Sequence, residues 1–287
     1  MHQYLSPAKV NFFLRVIGKR SDGYHELVSL MSPVSLYDSI TICFNSDKIQ
    51  VKCAHPQVPD DETNLAYRAA EVFFKAAGIN GGVDIFIEKC IPIGGGLGGG
   101  SSNAATVLMA LNRWYQKPLS EKQLRELALL LGADVPFFIL QKTALVTGIG
   151  EKLMPLNIRI EFPLLIVYPN VSVSTAWAFK NLNLNLTINK IDAIKANLIF
   201  RYQSSTIDWL QDIQNDLEQV TFKKQLILKK IKKKLIELGA LASVMSGSGS
   251  CIVGIYADQN SCQNAFETIK THSTHEVFQC HVLNNKI

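Results

Sequence analysis

The 287-residue sequence lacks several features, and each absence excludes a class of protein. No apolar run approaches the roughly 18–20 residues of a membrane-spanning helix. The first residues lack the basic start and the apolar stretch of a secretory signal. Charged residues make up only 18% of the chain and hydrophobic residues 47%, which excludes an intrinsically disordered protein. We therefore expect a globular protein of the cytoplasm that does not bind membranes.

The cysteines lack the spacing of a metal site. None forms a C-x-x-C pair and no histidine cluster accompanies them, whereas a zinc site needs closely spaced ligands. We expect reduced and mostly buried thiols, as is usual in a cytosolic protein. The six cysteines are Cys43, Cys53, Cys90, Cys251, Cys262 and Cys280.

The net charge of +5 is concentrated in one segment. Residues 223–239 carry seven lysines and one glutamate, a net charge of +6, so the rest of the chain sums to about −1. The pattern predicts one amphipathic helix with Leu226, Ile227, Ile231 and Leu235 on its buried side. The alternative is a basic patch for nucleic acid or an anionic membrane. No aromatic residues interleave with these lysines to stack on bases, so we expect no nucleic-acid partner.

Hydrophobic periodicity predicts a mixture of strands and helices. Strands are expected at 8–17, 39–44, 49–53, 83–88, 137–140, 143–147, 164–168, 242–245, 251–256 and 276–283. Helices are expected at 63–77, 101–115, 121–131, 175–180, 192–200, 206–219, 223–238 and 258–270. Thr63 is expected to cap the first helix and Gly78 to end it. Because the elements show no regular β-α-β repeat, we predict an α+β fold.

Around residues 148–160 the composition turns to glycine, proline and charge. We place a domain boundary there, which gives one domain at 1–155 and a second at 156–287. Two modest domains also fit the length, at about 150 residues per domain.

The most informative segment is the glycine-rich loop at 94–100, which lies between a predicted strand and a periodic helix. Six glycines in seven positions leave main-chain N–H groups bare, so that they can curl toward an anion. The helix adds the N–H groups and the positive dipole of its first turn. Ser101 and Ser102 add hydroxyls. This arrangement is typical of a phosphate-binding site.

Three other interpretations of this loop are weaker. A flexible linker would not be framed by a strand and a periodic helix. A Walker P-loop needs a lysine after the glycines, and none follows. Gly94, Gly96 and Gly99 match G-x-G-x-x-G, but a dinucleotide site also needs an acidic residue about 20 positions on, at the end of a second strand. Glu121 lies instead at the start of a helical pattern.

A second small-residue loop, SGSGS at 246–250, lies between two predicted strands. Alone it is equally well the turn of an ordinary β-hairpin. Together with the first loop it becomes a candidate second wall of the same site.

Two isolated charges stand in apolar surroundings. Asp134 is the only charged residue between 127 and 141, and Lys9 is the only one before Arg15. Such charges are costly unless they are paired or used. Asp134 could simply cap or turn the chain after Gly132, and Lys9 could lie at a strand edge. Near a phosphate site, however, a carboxylate could accept a hydroxyl proton and a lysine could balance developing charge.

Aromatic residues supply a candidate base-binding surface. Tyr24 and His25 place a ring that can stack beside an imidazole that can donate or accept, although they could form an ordinary loop pair. Trp177 and Phe179 lie on a short predicted helix, where aromatic residues more often belong to the core than to a base-stacking surface.

Three segments together resemble the motifs of the GHMP kinases, a family of small-molecule kinases. They are SPAKVNFFLRV at 6–16, PIGGGLGGGSSNAA at 92–105 and MSGSGSCIVGIY at 245–256. GYH at 23–25 and LGADVPFF at 131–138 also match, and the similarity runs from about residue 6 to 256. The resemblance implies an α+β fold of two domains, an N-terminal domain like domain 2 of ribosomal protein S5 and a C-terminal ferredoxin-like domain, with the site in the cleft between them.

The resemblance also implies an activity and a set of ligands. The motifs are most similar to those of members that use ATP and Mg²⁺ to phosphorylate the 2-hydroxyl of 4-diphosphocytidyl-2-C-methyl-D-erythritol, in the non-mevalonate route to isoprenoid precursors. The implied partner is therefore a small cytidyl diphosphate molecule, for a protein that is a monomer or weak homodimer. A kinase for another alcohol, such as homoserine or a mevalonate derivative, stays open as an alternative.

The resemblance assigns roles to individual residues. Asp134 matches the aspartate that activates the substrate hydroxyl, and Lys9 the lysine beside it. The nucleotide-binding residues implied are Asn64, Pro92, Ile93, Gly94, Gly95, Gly96, Leu97, Gly98, Gly99, Gly100, Ser101 and Ser102. The substrate-binding residues implied are Asn11, Tyr24, His25, Thr175 and Phe179. The sequence departs from some relatives at Met31, where they place an aromatic residue, and at Ala176, where they place proline.

Overall fold

The computed structural model describes residues 1–183 and 208–284. The helix predicted at 192–200 and the start of the one predicted at 206–219 lie outside the described residues. Backbone contacts divide the chain into two compact units whose segments alternate along the sequence. The first unit comprises Met1–Ala8, Leu36–Ile93 and Gly98–Gln141, and the second comprises Lys9–Ser35, Gly94–Leu97 and Lys142–Ile287. These units reflect compactness alone, and the division predicted at residue 155 stays a prediction.

The first unit contains a sheet with the order β3-β4-β2-β1. The long strands β1 (His2–Lys19) and β2 (His25–Ser46) are shared between the two units. The first unit contains β1 up to Ala8 and β2 from Leu36. β4 (Gly82–Glu88) pairs antiparallel with β2 and parallel with β3 (Ile49–Cys53). In β4 the buried residues Val83, Ile85 and Ile87 alternate with more exposed ones, as expected for a sheet with one face against the core.

The helices of the first unit begin and end close to where periodicity places them. They are α1 (Leu65–Ala77), α2 (Gly99–Trp114), α3 (Glu121–Leu131) and α4 (Val135–Leu140). The predicted end of α1 at Gly78 is confirmed, because this glycine takes the left-handed conformation. The predicted cap at Thr63 is wrong. The Asn64 side chain accepts the Ala66 N–H at 2.9 Å, while Thr63 donates to Asp61.

α4 corrects the strand predicted at 137–140. Its six residues, VPFFIL, are all buried. A short apolar run does not distinguish a buried strand from a buried helix by periodicity alone. Pro136 favours the helix, since proline is tolerated in a first turn where its missing N–H has no helical partner.

The second unit has two groups of strands in the described residues. β2 pairs antiparallel with β5 (Ala144–Gly148), which pairs with β6 (Lys152–Pro155), and β1 pairs parallel with β8 (Gln214–Asn215). A separate antiparallel sheet has the order β11-β7-β10-β9. Its strands are β7 (Leu164–Tyr168), β9 (Ala242–Met245), β10 (Ile252–Ile255) and β11 (Glu276–Cys280).

Helices cover one side of the core of this unit, which is built on β7 and β10. They are α5 (Thr175–Asn181), α6 (Glu218–Lys224), α7 (Leu226–Glu237) and α8 (Gln259–His272). A 3-10 helix at Asp208–Asp212 and strand β8 replace much of the helix predicted at 206–219. The chain leaves the helical conformation there because β8 pairs with β1.

The lysine-rich segment forms parts of two helices rather than one. Gln225, at φ −126° and ψ 81°, interrupts the helix between α6 and α7. Leu228, Ile231 and Leu235 are buried, whereas Leu226 is 65% exposed, so its predicted place on the buried side is wrong. The interruption changes the phase of the apolar stripe and turns Leu226 outward. Most of the lysines lie on the solvent side, the result expected of a solvated helix face.

All six cysteines lie in the described part of the chain and are free thiols. Burial raises the pKa of the Cys262 thiol to about 11, and burial also raises the pKa of Cys251 and of Cys280. Cys90 is exposed and Cys43 and Cys53 are half-buried, so only three of the six are buried as expected. None of the helices in the described ranges is long and apolar enough to cross a bilayer.

Substitution of Phe137 tests how much the buried side chains of α4 contribute to the stability of the first unit. Its side chain is fully buried, so Phe137→Ala leaves a cavity and is expected to lower the free energy of unfolding by about 3–5 kcal/mol. Urea denaturation followed by circular dichroism measures the change. Phe86→Ala is the matched control, since Phe86 is 40% exposed and its loss should cost less than about 1 kcal/mol. Equal losses in the two variants would contradict the placement of α4.

Candidate active site

The glycine-rich loop connects β4 to α2 and is built on alternating left-handed residues. Gly94, Gly96 and Gly98 have φ values of 69°, 77° and 72°. At Gly96 the space is also closed, because a Cβ atom would lie 2.1 Å from the main-chain oxygen of Ser246. A residue with a side chain would therefore be strained by its backbone and would collide with the neighbouring loop. Glycine is therefore favoured at 94, 96 and 98 by the backbone, and at 96 also by the lack of space.

The start of α2 has the features of an anion-binding end. Gly98 is its N-cap residue, and among the described residues no side chain caps it. The N–H groups of the first turn are therefore not covered by a side-chain oxygen. Ser102, whose hydroxyl is predicted to contribute to the phosphate-binding site, is fully buried. Its Oγ accepts a hydrogen bond from Ser6 Oγ at 2.8 Å, so the hydroxyl faces the interior. Ser101 is half-buried at the surface of the same turn.

Lys9 lies in the second unit and is only 3% exposed, which rules out a strand-edge surface position. Its Nζ donates to Asn11 Oδ1 at 2.5 Å and to the main-chain oxygen of Gly96 at 2.8 Å. Its main-chain N–H donates to the Leu97 oxygen at 2.9 Å. The buried ammonium is thus held against the first half of the glycine-rich loop, as a buried charge requires.

The second small-residue loop contacts this same half of the glycine-rich loop. Ser246 Oγ donates to the Gly96 oxygen at 3.0 Å, and the Cys251 N–H donates to the Gly95 oxygen at 3.0 Å. The expectation that the two loops meet is confirmed for residues 94–97. The hairpin interpretation is also correct, because β9 and β10 are antiparallel neighbours joined by this loop.

Two buried polar residues that sequence reasoning missed hold these groups in place. Ser29 Oγ accepts from Asn11 Nδ2 at 2.8 Å and donates to the Phe13 oxygen at 2.6 Å, which fixes the orientation of the Asn11 amide. Asn215 Nδ2 donates to the main-chain oxygens of Met245 and Gly247, at 2.7 and 2.6 Å. No local pattern marks either residue, because their partners are distant in sequence.

Asp134 lies in the first unit, in the N-cap position of α4. Its side chain makes no capping hydrogen bond to that helix in the described structure. The residue is half-buried. Its carboxylate is therefore not used to satisfy the helix, which disfavours the alternative that Asp134 is only a capping residue.

Asn64, predicted to contact the nucleotide, has a structural role. Its Oδ1 caps α1 at Ala66, and its Nδ2 donates to the Pro59 oxygen at 2.7 Å. The residue is 6% exposed. Its contact with a nucleotide stays a prediction.

The predicted base-binding residues of the second unit lie on two elements. The rings of His25 and Phe179 stack with their centroids 5.4 Å apart and their planes at 25°, so the two rings contact each other directly. Tyr24 is 60% exposed, and its N–H donates to Asp22 Oδ1 at 3.1 Å. Burial, with a smaller contribution from the charge of Lys19, lowers the pKa of His25, which favours the neutral imidazole.

Thr175 joins the start of α5 to the second small-residue loop. Its Oγ1 and the Ser248 Oγ are 2.7 Å apart. The Ser174 side chain caps the same helix at the Trp177 N–H. Met31, one of the departures noted in the sequence, is 3% exposed on β2 and pairs with Ala144 on β5.

The donor set fits a nucleotide better than a preformed metal site. The bare first turn of α2 suits a phosphate group. Over the described residues no group of three or more histidine, cysteine, aspartate or glutamate side chains could hold a metal ion. Mg²⁺ is usually bound by one or two carboxylates together with substrate phosphates. The site therefore fits an Mg²⁺ ion that arrives bound to the nucleotide.

Two family descriptions match the sequence. "GHMP kinases N terminal domain" matches residues 64–142, and "GHMP kinases C terminal" matches residues 197–273. The matches lie on either side of the domain boundary predicted from composition.

Curated relatives cover nearly the whole chain. A protein of Syntrophotalea carbinolica named 4-diphosphocytidyl-2-C-methyl-D-erythritol kinase is 42% identical over 287 residues, which is 99% of this chain and 100% of the relative. A protein of the same name from Geotalea daltonii is 43% identical over 269 residues, or 93% of this chain and 94% of the relative.

Solved structures give the same result for the fold. A crystal structure of 4-(cytidine 5'-diphospho)-2C-methyl-D-erythritol kinase has a TM-score of 0.78 at 34% identity, and covers 98% of this chain and 99% of its own. A homoserine kinase from Cytophaga hutchinsonii also has a TM-score of 0.78, covering 98% and 94%, but at 19% identity it supports the fold alone. The predicted α+β fold is confirmed, and this chain belongs to the GHMP kinase family.

Proposed function

We propose that the protein transfers the γ-phosphoryl group of ATP to the 2-hydroxyl of 4-diphosphocytidyl-2-C-methyl-D-erythritol, giving the 2-phosphate, in the non-mevalonate route to isoprenoid precursors. The observation that carries the proposal is identity of 42–43% to kinases of that name over at least 93% of this chain. The solved structure of a kinase for the same compound supports it at 34% identity.

Residues of the glycine-rich loop, Pro92 to Ser102, bind the phosphates of ATP in this proposal. The main-chain N–H groups at the start of α2 donate to phosphate oxygens, and the helix dipole favours the negative charge. Bound ATP supplies the phosphoryl group, and Mg²⁺ neutralises charge on its phosphate oxygens. Asn64 adds a contact to the nucleotide.

Asp134 and Lys9 act on the reacting groups. We assign Asp134 as the general base that accepts the proton of the 2-hydroxyl, because it matches the aspartate that has this role in the GHMP kinases. Lys9 stabilises the negative charge that develops on the transferring group. Two fixed acceptors restrain its ammonium, so little reorganisation is needed during the reaction.

The remaining assigned residues hold the cytidyl substrate. Tyr24 and Phe179 stack on the cytosine, and the neutral ring of His25 forms a hydrogen bond to it. The contact between the rings of His25 and Phe179 keeps these two proposed base-binding residues together. Asn11 and Thr175 contact the polar groups of the substrate.

We extend the proposal to the setting of the enzyme. The N-terminal domain at 1–155 binds ATP, and the C-terminal domain at 156–287 contributes to substrate binding, as the positions of the two family matches suggest. The enzyme acts in the cytoplasm as a monomer or weak homodimer on a small molecule, without nucleic acid. The free thiols are consistent with a reducing compartment.

Release of ADP in a coupled assay tests the activity. We expect ADP release in the presence of ATP, Mg²⁺ and the cytidyl substrate, and none when the substrate is omitted. Homoserine and mevalonate serve as comparison alcohols and are expected to be inactive. Phosphorylation of one of these compounds, and not of the cytidyl compound, would overturn the proposed substrate.

Asp134→Asn tests the general base. The amide keeps the size of the side chain but cannot accept the proton, so kcat is expected to fall about 10²- to 10⁴-fold. Binding of an ATP analogue, measured by titration calorimetry, should change less than about twofold. Asp84→Asn is the matched control, because Asp84 lies on β4 and belongs to no proposed role. Turnover of Asp134→Asn at the wild-type rate would refute the assignment.

Tyr24→Ala tests stacking on the cytosine. Base stacking on an aromatic side chain contributes about 1–3 kcal/mol, so KM for the cytidyl substrate is expected to rise about tenfold with KM for ATP unchanged. Steady-state kinetics with each substrate varied in turn gives both constants. Tyr24→Phe keeps the ring and should resemble the wild type. If KM for the cytidyl substrate is the same in the alanine variant, Tyr24 does not stack on the base.

A further inference from the structure

A buried carboxylate with no assigned role lies beside the glycine-rich loop in the first unit. Asp38, on β2, is fully buried. Its Oδ1 accepts the main-chain N–H groups of Cys90 and Ile91, each at 2.9 Å. Its Oδ2 accepts from Asn103 Nδ2 at 2.9 Å and forms an ion pair with Lys89, whose side chain is 5% exposed.

These partners lie on both flanks of the glycine-rich loop. Residues 89–91 lead from β4 into the loop, whereas Asn103 follows it in the early part of α2. One carboxylate therefore connects the segment that enters the loop to the helix that leaves it. Lys89 Nζ strengthens the connection, because it also donates to Asn103 Oδ1 at 3.3 Å.

Two more contacts extend the network to the first turn of α2. Asn103 Nδ2 donates to Ser6 Oγ at 3.0 Å, and Ser6 Oγ donates to Ser102 Oγ at 2.8 Å. At Gly99, the first residue of the helix, a Cβ atom would lie 2.9 Å from Lys89 Nζ. The buried lysine thus packs directly against the helix end, and the helix begins with glycine where the lysine needs the space.

A buried ion pair of this kind contributes little to stability compared with apolar residues of the same volume, because both charges lose their hydration. The pair does fix the positions of its partners, since hydrogen bonds to a charged acceptor are strong and directional. A network of this kind on the flanks of a loop fixes the direction of the N–H groups at the start of the helix.

We propose that Asp38, acting through Lys89 and Asn103, is a positioning residue for the nucleotide phosphates. It holds the end of the 89–91 segment and the start of α2 at a fixed separation, so that the bare N–H groups of the first turn converge on one anion. The identification of that anion as a nucleotide phosphate rests on the proposed function.

The test compares two variants by a measurement that does not depend on turnover. Asn103→Leu removes the connection to α2 and keeps the Asp38–Lys89 pair, whereas Asp38→Asn removes the charge. Titration calorimetry with ADP gives the dissociation constant, urea denaturation gives stability, and kinetics gives KM for each substrate. We expect ADP to bind about tenfold more weakly to both variants, with KM for the cytidyl substrate changed less than about twofold.

Asp216→Asn is the matched control. Asp216 is a partly buried carboxylate that accepts the Val16 N–H at 2.9 Å, so its amide variant should lose stability without a change in the dissociation constant for ADP. If Asn103→Leu and Asp38→Asn lose stability but bind ADP as the wild type does, the positioning role is overturned. Equal weakening of ADP and of the cytidyl substrate also overturns it. If the proposed function is wrong, the wild-type protein itself will release no ADP in the coupled assay with the cytidyl substrate.

Discussion

The carbonyl oxygen of Gly96 is the acceptor on which the arrangement of the second unit depends. It accepts from Lys9 Nζ and from Ser246 Oγ, so one main-chain atom joins β1, the glycine-rich loop and the second small-residue loop. The positive φ of Gly96 turns that oxygen toward both donors. The close approach of the Ser246 oxygen to the same residue leaves no room for a side chain. Two contacts therefore meet at residue 96: the Ser246 oxygen requires glycine there, and the Gly96 oxygen holds the buried Lys9.

The buried ammonium groups of Lys9 and Lys89 are each fixed by neighbouring polar groups. Lys9 is held by Asn11, and the amide of Asn11 is in turn oriented by Ser29. In the first unit Asp38 holds Lys89 in the same way. An unpaired charge in such surroundings would cost several kcal/mol, so each of these side chains needs its neighbour. The outer members of these networks determine where the inner ones can act, although they touch no reacting group in the proposed mechanism.

The sequence predicts much of the fold and the main motifs because those signals are local. Glycines at 94–100 and the helical periodicity after them predict the start of α2 to within two residues, and the isolation of Asp134 and Lys9 marks two unusual charges. The apolar run of α4 was assigned to a strand because burial on all sides hides its period. Gln225 divides the lysine-rich helix without proline or glycine as a marker. Asp38 and Lys89 are 51 residues apart, and no local pattern predicts their pairing.

The uncapped start of α2 has a thermodynamic consequence. A side-chain oxygen at an N-cap stabilises a helix by roughly a few tenths of a kcal/mol relative to glycine, and Gly98 supplies none in the described structure. An oxygen there would satisfy the same N–H groups that an incoming anion requires. In the proposed function, a phosphate group that binds there supplies the acceptor that no side chain provides. In the proposed function, binding of a phosphate group and the folding of this segment are consequently linked, and the resulting stabilisation rises with the logarithm of ligand concentration above the dissociation constant.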